Sequence, residues 1–294
     1  MKNNSKENYF VGLDLLRGIS GYGVAISHFF AFLYNSEISE YVSFLFVEFF
    51  FVLSGFVLFP QILKIYDNKK NLLIFYKRRW LRTLPVYFLS LLIVTIISGS
   101  FFTLDFIKYF FLLQNFFPDF LLNDYFPVVW SLSIEEFFYL LFPLIILILN
   151  KKDLFKLLIF LVISILFLKI FLSFFFDLDY LRKGTIIRFD AIIVGFIARY
   201  FYSNFSLKIC FFASFIFIII YIASRDLVLS NVDVYYVKYF FIIFIQILSI
   251  FVLFFFLKID KYIKAKNLKL FFSLISKQTY SVYLFHIIFI YFLH

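Results

Sequence analysis

Arg17 and His28 place a cation and a titratable imidazole in the segment GLDLLRGISGYGVAISHFFAFLY, which is otherwise apolar enough to cross a bilayer. At about 100° per residue, the eleven steps between them return both side chains to nearly the same face of a helix. The helical rise separates them by roughly 16 Å along the axis. Because an ionisable side chain inside a membrane span is costly and by default marks function, we expect anion binding at Arg17 and proton transfer at His28.

Asp14 lies one helical turn before Arg17, and the glycines of GISGYG follow directly. Small residues allow another helix or a ligand to approach closely. We expect another helix or a ligand to lie against these glycines. We also expect the carboxylate of Asp14 to orient neighbouring side chains, the imidazole of His28 among them. The alternative is a structural ion pair between Asp14 and Arg17, with His28 satisfied inside the bundle.

Arg79 and Arg82 belong to the basic segment YKRRWLRTLPVY, residues 76–87. Residues three apart share a helix face, so the two guanidinium groups can form a fork-shaped clamp for an anion. A phosphate-rich ligand from the cytoplasm would suit this clamp. The alternative is that the segment only anchors a span to anionic lipid.

Glu135 and Glu136 are adjacent carboxylates within the apolar segment WSLSIEEFFYLLFP, residues 130–143. Each must be paired, protonated or in contact with water. Glu135 and His28 lie at similar depth from the outer ends of their predicted spans. We expect Glu135 to face His28, where it would orient the imidazole and stabilise the protonated form.

Two further segments carry polar residues within apolar surroundings. IIRFDAIIVG contains Arg188 and Asp190, which are interpreted either as a structural pair or as substrate contacts. QTYSVYLFH contains Tyr283 and His286, and a lone histidine in a span is commonly satisfied by a hydrogen bond between helices.

The composition predicts an all-α, polytopic transmembrane helix bundle with a single membrane domain over residues 1–294 and no soluble domain. Hydrophobic residues make up 64% of the chain and the mean hydropathy is +0.98. The net charge of +10 would suit nucleic acid, but the basic residues alternate with apolar runs and form no single patch, so we expect no nucleic acid partner. Hydropathy predicts nine spans, at residues 11–34, 41–63, 83–100, 128–149, 154–175, 186–203, 207–224, 236–257 and 271–293.

The distribution of lysine and arginine predicts a cytoplasmic N-terminus. With that orientation, basic segments such as 64–82 and 258–269 fall inside, as the positive-inside rule requires. Residues 101–127 are apolar but too interrupted for a span, and we expect an outer interfacial or re-entrant segment. The predicted location is the bacterial inner membrane.

Six motifs occur in the order typical of the integral-membrane acyltransferases called acyltransferase family three, which the chain resembles over almost its whole length. They are LDLLRGISGYGVAISH, FFFVLSGFVL, RRWLRTLPVY, WSLSIEEFFYLLFP, RFDAIIVG and TYSVYLFH. The family includes O-acetylases of bacterial lipopolysaccharide, peptidoglycan and exopolysaccharide. The resemblance matches Arg17 with His28, Arg79 with Arg82, and Glu135 to three motif elements of that family. Members usually continue through a tenth helix, which this sequence, ending at YFLH, is expected to lack.

The resemblance, together with the roughly 16 Å that separates Arg17 from His28 along the helix, favours an O-acyltransferase that transfers an acyl group other than an aminoacyl group. The donor would be cytoplasmic acetyl-CoA or another acyl-CoA, and the acceptor a hydroxyl of a surface glycan or a lipid-linked saccharide. No metal is expected. The alternatives are a transporter or flippase for a lipid-linked saccharide, in which buried charges line a substrate path, or an inactive structural relative. The residues assigned to each role are His28, Glu135 and Asp14 for catalysis, Arg17, Arg79 and Arg82 for the donor, and Glu136, Tyr139, Arg188, Asp190, Tyr283 and His286 for the substrate.

Overall fold

A computed structural model describes residues 9–118, 120–148, 150–231 and 234–292. The regular secondary structure of its described part is all helical, with no strand. The helices are α1 (Val11–Tyr34), α2 (Glu37–Asp67), α3 (Asn71–Ser98), α4 (Leu104–Phe110), α5 (Trp130–Ile146), α6 (Leu154–Ser173), α7 (Leu178–Lys183), α8 (Phe189–Phe201), α9 (Leu207–Ala223), α10 (Arg225–Ser230), α11 (Tyr235–Ile259) and α12 (Lys266–Phe292). Short 3₁₀ turns occupy Pro127–Val129, Lys151–Asp153, Ile186–Arg188 and Asp260–Tyr262.

Each of the nine predicted spans coincides with one of the longer helices, so the all-α membrane bundle is confirmed. Five helical segments are long and apolar enough to cross a membrane, namely Glu37–Asp67, Asn71–Ser98, Pro127–Ile146, Lys151–Ser173 and Tyr235–Tyr262. Helix α3 begins twelve residues before the predicted span because the basic segment continues the helix. Positions 149 and 293, the predicted ends of the fourth and ninth spans, lie outside the described residues.

Local signals in the sequence set several helix ends. The hydroxyl groups of Ser36 and Ser206 accept backbone N–H groups at the starts of α2 and α9. At the ends of α1 and α3, Asn35 and Gly99 adopt the left-handed conformation, with φ of 47° and 66°. These caps satisfy polar backbone groups that helix termini leave unpaired.

The segment between α3 and α5 forms the short helix α4 and turns instead of a full-length span. Asp105 organises it, since its carboxylate accepts the backbone N–H groups of Leu122 and Asn123 and the ammonium of Lys108. Burial alone would raise the pKa of Asp105, but these three donors hold it below its usual range. The loop is thereby tied to α4.

Helix α2 is the central element of the bundle and packs against α1, α3, α5, α8 and α11. Its contact with α8 is a direct approach of two backbones. A Cβ atom on Gly55 would lie 2.0 Å from the carbonyl oxygen of Ile192, and one on Gly195 would lie 2.2 Å from that of Val52. Only glycine fits at either position.

Helices α1 and α12 are held together in a similar way. A Cβ atom on Gly21 would lie 2.0 Å from Cγ2 of Thr279, and one on Gly18 would lie 2.6 Å from Cγ2 of Ile275. The prediction that these glycines permit close approach is confirmed, and the approaching element is α12. The crossing brings the polar faces of α1 and α12 into contact.

Gly195→Ala tests the crossing of α2 and α8. The added methyl group collides with a backbone carbonyl that cannot rotate away, so the helices must separate. We expect a loss of about 1–3 kcal/mol in the free energy of unfolding, measured by detergent-induced denaturation. Gly99→Asn is the control, because Gly99 has open space around it and Asn is among the side chains that best accept a left-handed backbone, so we expect a smaller loss than for Gly195→Ala. If Gly195→Ala and Gly99→Asn were equally stable, the proposed role of the Gly195 backbone contact in packing α2 against α8 would be contradicted.

Candidate functional site

A cavity of about 120 Å³ lies among α1, α2, α3, α5 and α12. Three arginines line it, Arg17 from α1 and Arg79 and Arg82 from α3, so the predicted shared face of the last two is confirmed. Glu135 is the one carboxylate among the lining residues. The other polar lining residues are Ser54, Gln61, Thr83, Ser131, Tyr139, Ser276, Thr279, Tyr280 and Tyr283.

A second cavity, of about 310 Å³, adjoins the first and shares Arg17, Val57 and Gln61 with it. It lies near the start of α1 and is also lined by Asp14 and Arg199. Arg17 therefore stands between two cavities, with a further arginine beyond it. That further arginine, Arg199, was not among the residues predicted from the sequence to form the site.

Asp14 belongs to the Arg17 end of α1. Its carboxylate lies 3.4 Å from Nη1 of Arg17, accepts the hydroxyl of Ser276 at 2.8 Å, and is also bonded by the Tyr9 hydroxyl. Arg17 in turn donates to the Ser276 oxygen at 3.1 Å. The expectation that Asp14 orients His28 is wrong, because fourteen residues of helix separate them by roughly 21 Å. Asp14 instead orients Arg17.

The carboxylate of Glu135 is bound by two hydroxyl groups. Ser54 donates to Oε1 at 2.6 Å and Tyr139 donates to Oε2 at 2.9 Å. The guanidinium of Arg79 lies over the Tyr139 ring, 4.8 Å from its centre. The expected pairing of Glu135 with His28 is therefore not found. Glu135 and Tyr139 instead connect the arginine-lined face of the cavity to α2.

His28 pairs with His286 on α12. Nδ1 of His28 and Nε2 of His286 are 2.9 Å apart, and Nδ1 of His286 is 3.3 Å from the carbonyl oxygen of Val282. Neither histidine lines the arginine cavity, but the ring of Tyr283, which does, lies 6.0 Å from that of His286. The histidine pair thus lies just beyond one end of the cavity.

The other substrate-side predictions fall in different places. The Tyr283 hydroxyl lies at the cavity wall, where it donates to the carbonyl of Val128 and is 2.6 Å from the Ser131 hydroxyl. Glu136 accepts the hydroxyl of Thr83 at 2.7 Å and is not among the cavity-lining residues. Of the two adjacent glutamates, only Glu135 faces the cavity.

Arg188 and Asp190 are fully buried but do not pair with each other, which corrects that interpretation. Arg188 forms an ion pair with Glu48 on α2, and Asp190 forms one with Lys169 on α6. Gln246 on α11 also donates to Asp190, at 2.7 Å. Arg188 directly precedes α8 and Asp190 lies in its first turn, where the helix sends their side chains to different neighbours. The two pairs, here called the buried ion-pair cluster, join α2, α6, α8 and α11.

Glu48 and Lys169 were missed by the sequence analysis, although the signal was present. Each is a single charge in a long apolar run, FLFVEFFFVL and ILFLKIFL, and such a charge requires a partner. Applied to every lone charge, that rule would have found both residues.

The arrangement offers anion binding at the arginines and proton transfer at the histidine pair. Where the structure describes the chain, no group of three His, Cys, Asp or Glu residues could hold a metal ion.

On α7, outside the arginine cavity, Asp179 forms ion pairs with Arg182 and Lys183. Burial favours a higher pKa for Asp179, but these two cations hold it below its usual range.

Comparison with known proteins gives a consistent result. The sequence profile of the acyltransferase domain family matches residues 10–294. O-acetyltransferase OatA of Staphylococcus aureus is 36% identical over 163 residues, which are 47% of this chain and 25% of OatA. Putative O-acetyltransferase SACOL0978 of S. aureus strain COL is 31% identical over 231 residues, which are 69% of this chain and 36% of that protein. The chain thus spans between a quarter and about a third of these relatives. No solved structure matches.

The buried ion-pair cluster can be tested by a double-mutant cycle. Lys169→Met leaves Asp190 charged and without its cation, at a cost of about 3–5 kcal/mol in the free energy of unfolding. Adding Asp190→Asn removes the unpaired charge and should recover most of that loss. Lys151→Met is the control, since Lys151 and Asp67 form an exposed pair worth about 0–1 kcal/mol. Additive losses in the double variant would contradict the pairing.

Proposed function

Because the chain belongs to the acyltransferase domain family, we propose that it is a membrane O-acyltransferase of the bacterial inner membrane. It transfers an acyl group, acetyl in particular, from cytoplasmic acyl-CoA to a hydroxyl of a surface glycan or its lipid-linked precursor. The observation that carries this proposal is the cavity with three arginines that ends beside the histidine pair.

The charge of the cavity supports a phosphate-rich donor. Its lining includes three guanidinium groups and one carboxylate, and Asp14 pairs with Arg17 from outside the lining, so the arginines exceed the acids by one. Guanidinium groups bind phosphate through paired, charge-assisted hydrogen bonds. Coenzyme A carries phosphates at one end and the thioester at the end of a long pantetheine arm. The roughly 16 Å of helix between Arg17 and His28 is comparable to that arm.

The histidine pair supplies the chemistry of transfer. His28 accepts the proton of the acceptor hydroxyl as its oxygen attacks the thioester carbonyl carbon. The new C–O bond forms, the C–S bond breaks, and the proton passes from His28 to the departing sulfur to give the free thiol. The step leaves the protein unchanged and requires no further reactant.

A third cavity supports a hydroxyl-rich acceptor. It has a volume of about 370 Å³ and lies between the α4–α5 segment and α7, and aromatic rings, amides and carboxylates line it together. Such a mixture suits sugars, which offer apolar ring faces and many hydroxyl groups. Lys183 lines this cavity and forms an ion pair with Asp179, which lines it as well. The lining residues include Gln114, Asn115, Phe120, Asp124, Phe176, Asp177 and Tyr180.

Sealed vesicles of known orientation test the proposed reaction. Labelled acetyl-CoA supplied on the cytoplasmic side should transfer its acetyl group to glycan on the opposite side, as mass spectrometry of the glycan would show. His28→Ala should remove at least about 99% of the product while the protein stays inserted, because a general base contributes about 10²–10⁴-fold. Transfer that requires donor and acceptor on one side, or full activity of the variant, would contradict the proposal.

Arg79→Ala and Arg82→Ala test the donor site. Each should weaken binding of acetyl-CoA more than binding of acetyl-dephospho-CoA, by an additional factor of about ten, since a charge-assisted hydrogen bond is worth about 1.5–3 kcal/mol. Binding is measured by calorimetry on the purified protein. Arg78→Ala is the matched control, because Arg78 lies on the same helix but is exposed and does not line the cavity. Equal losses for both ligands would indicate lipid anchoring instead.

A further inference from the structure

The histidine pair contains four ring nitrogens, and three of them have a hydrogen-bonding partner. Nδ1 of His286 faces the carbonyl oxygen of Val282, and Nε2 of His286 faces Nδ1 of His28. Among the described residues, Nε2 of His28 has no hydrogen-bonding partner. The two rings are 5.2 Å apart between centres, and neither contacts a carboxylate through a hydrogen bond.

The partners determine where the protons lie. A carbonyl oxygen can only accept, so Nδ1 of His286 carries a hydrogen and donates it to Val282. In the neutral ring, Nε2 of His286 is then the acceptor. Nδ1 of His28 must donate to it, which leaves the lone pair of His28 on Nε2.

We propose that His286 is a positioning residue that holds His28 in the Nδ1-protonated tautomer, with Nε2 as the base. This inference rests on the proposed function. An unconstrained histidine favours the opposite tautomer, in which Nε2 carries the hydrogen and cannot accept a proton. When His28 takes the proton from the acceptor hydroxyl, the neutral His286 still accepts from Nδ1 and stabilises the imidazolium ion. His286 therefore acts through His28 and not on the substrate.

The packing of α1 against α12 makes this arrangement specific. Gly18 and Gly21 bring the two backbones close enough for direct contact between the rings. His286 is buried, with 8% of its surface exposed, so water cannot readily replace it as the acceptor. The unpartnered nitrogen belongs to His28, which assigns the base to α1 and the support to α12.

Two substitutions of His286 distinguish the effect of losing its hydrogen-bond acceptor from the effect of changing its side-chain volume. His286→Leu removes the acceptor, whereas the side-chain oxygen of His286→Gln can occupy the region of Nε2. Gln278→Leu is the control, because Tyr22 and Gln278 form another hydrogen bond between α1 and α12, at 3.3 Å, away from the histidines. The maximal rate and the KM for labelled acetyl-CoA are measured in vesicles that contain the native acceptor.

We expect His286→Leu to lower the maximal rate about 10–100-fold, with the KM for acetyl-CoA within twofold of the original. His286→Gln should recover a large part of the rate, and Gln278→Leu should stay within twofold. An unchanged rate in His286→Leu, or no recovery in His286→Gln, overturns the inference if His28→Ala is inactive. Full activity of His28→Ala would instead overturn the proposed base itself.

Nitrogen NMR of the unmodified protein provides a test that does not depend on any variant's activity. The chain has three histidines, His28, His286 and His294, so labelling histidine with ¹⁵N gives few signals. His294→Ala and His28→Ala assign them. The expected spectrum has a protonated Nδ1 and a bare Nε2 for His28. A protonated Nε2 on neutral His28 would overturn the inference.

Discussion

Charge inside an apolar bundle requires compensation, and the described part of this chain meets that requirement in two different ways. In the buried ion-pair cluster, Glu48 and Asp190 neutralise Arg188 and Lys169, and all four side chains are almost inaccessible. Balanced pairs of this kind fix the positions of helices, because removing one member leaves a buried charge. In the arginine cavity the balance is incomplete, because Glu135 and the Asp14 partner of Arg17 leave one of the three guanidinium groups without a carboxylate. Its excess of positive charge is the electrostatic condition for binding an anionic ligand.

Glycine contacts determine how closely the helices that carry these charges can approach. Gly55 and Gly195 set the separation of α2 and α8, which places Glu48 within reach of Arg188. Gly18 and Gly21 do the same for α1 and α12, where the result is a cavity wall and a histidine pair. In a membrane, close backbone packing of this type replaces much of the hydrophobic driving force that holds soluble helices together.

The sequence predicts the nine helices that overlap its apolar runs, because such runs have few other solutions in a bilayer. It also places Arg79 and Arg82 on one face, since helical periodicity is local. The partners of Glu135, His28 and Arg188 could not be predicted, because periodicity shows which face a residue occupies but not which helix that face meets. His286, for example, lies 258 residues from His28 in the chain, yet the two rings are in hydrogen-bonding contact.

Helix α12 supplies one continuous stripe of the site. Ser276, Thr279, Tyr280 and Tyr283 line the cavity, and His286 follows one turn later. The distance from the Ser276 contact with Arg17 to the histidine pair is thus about 15 Å of a single helix. A helix of this kind fixes both the spacing and the direction of its side chains, because one inserted residue would rotate every later side chain by about 100° and move it by about 1.5 Å. Under the proposed function, the number of α12 residues between Ser276 and His286 therefore sets the length of the pantetheine arm that the enzyme accepts.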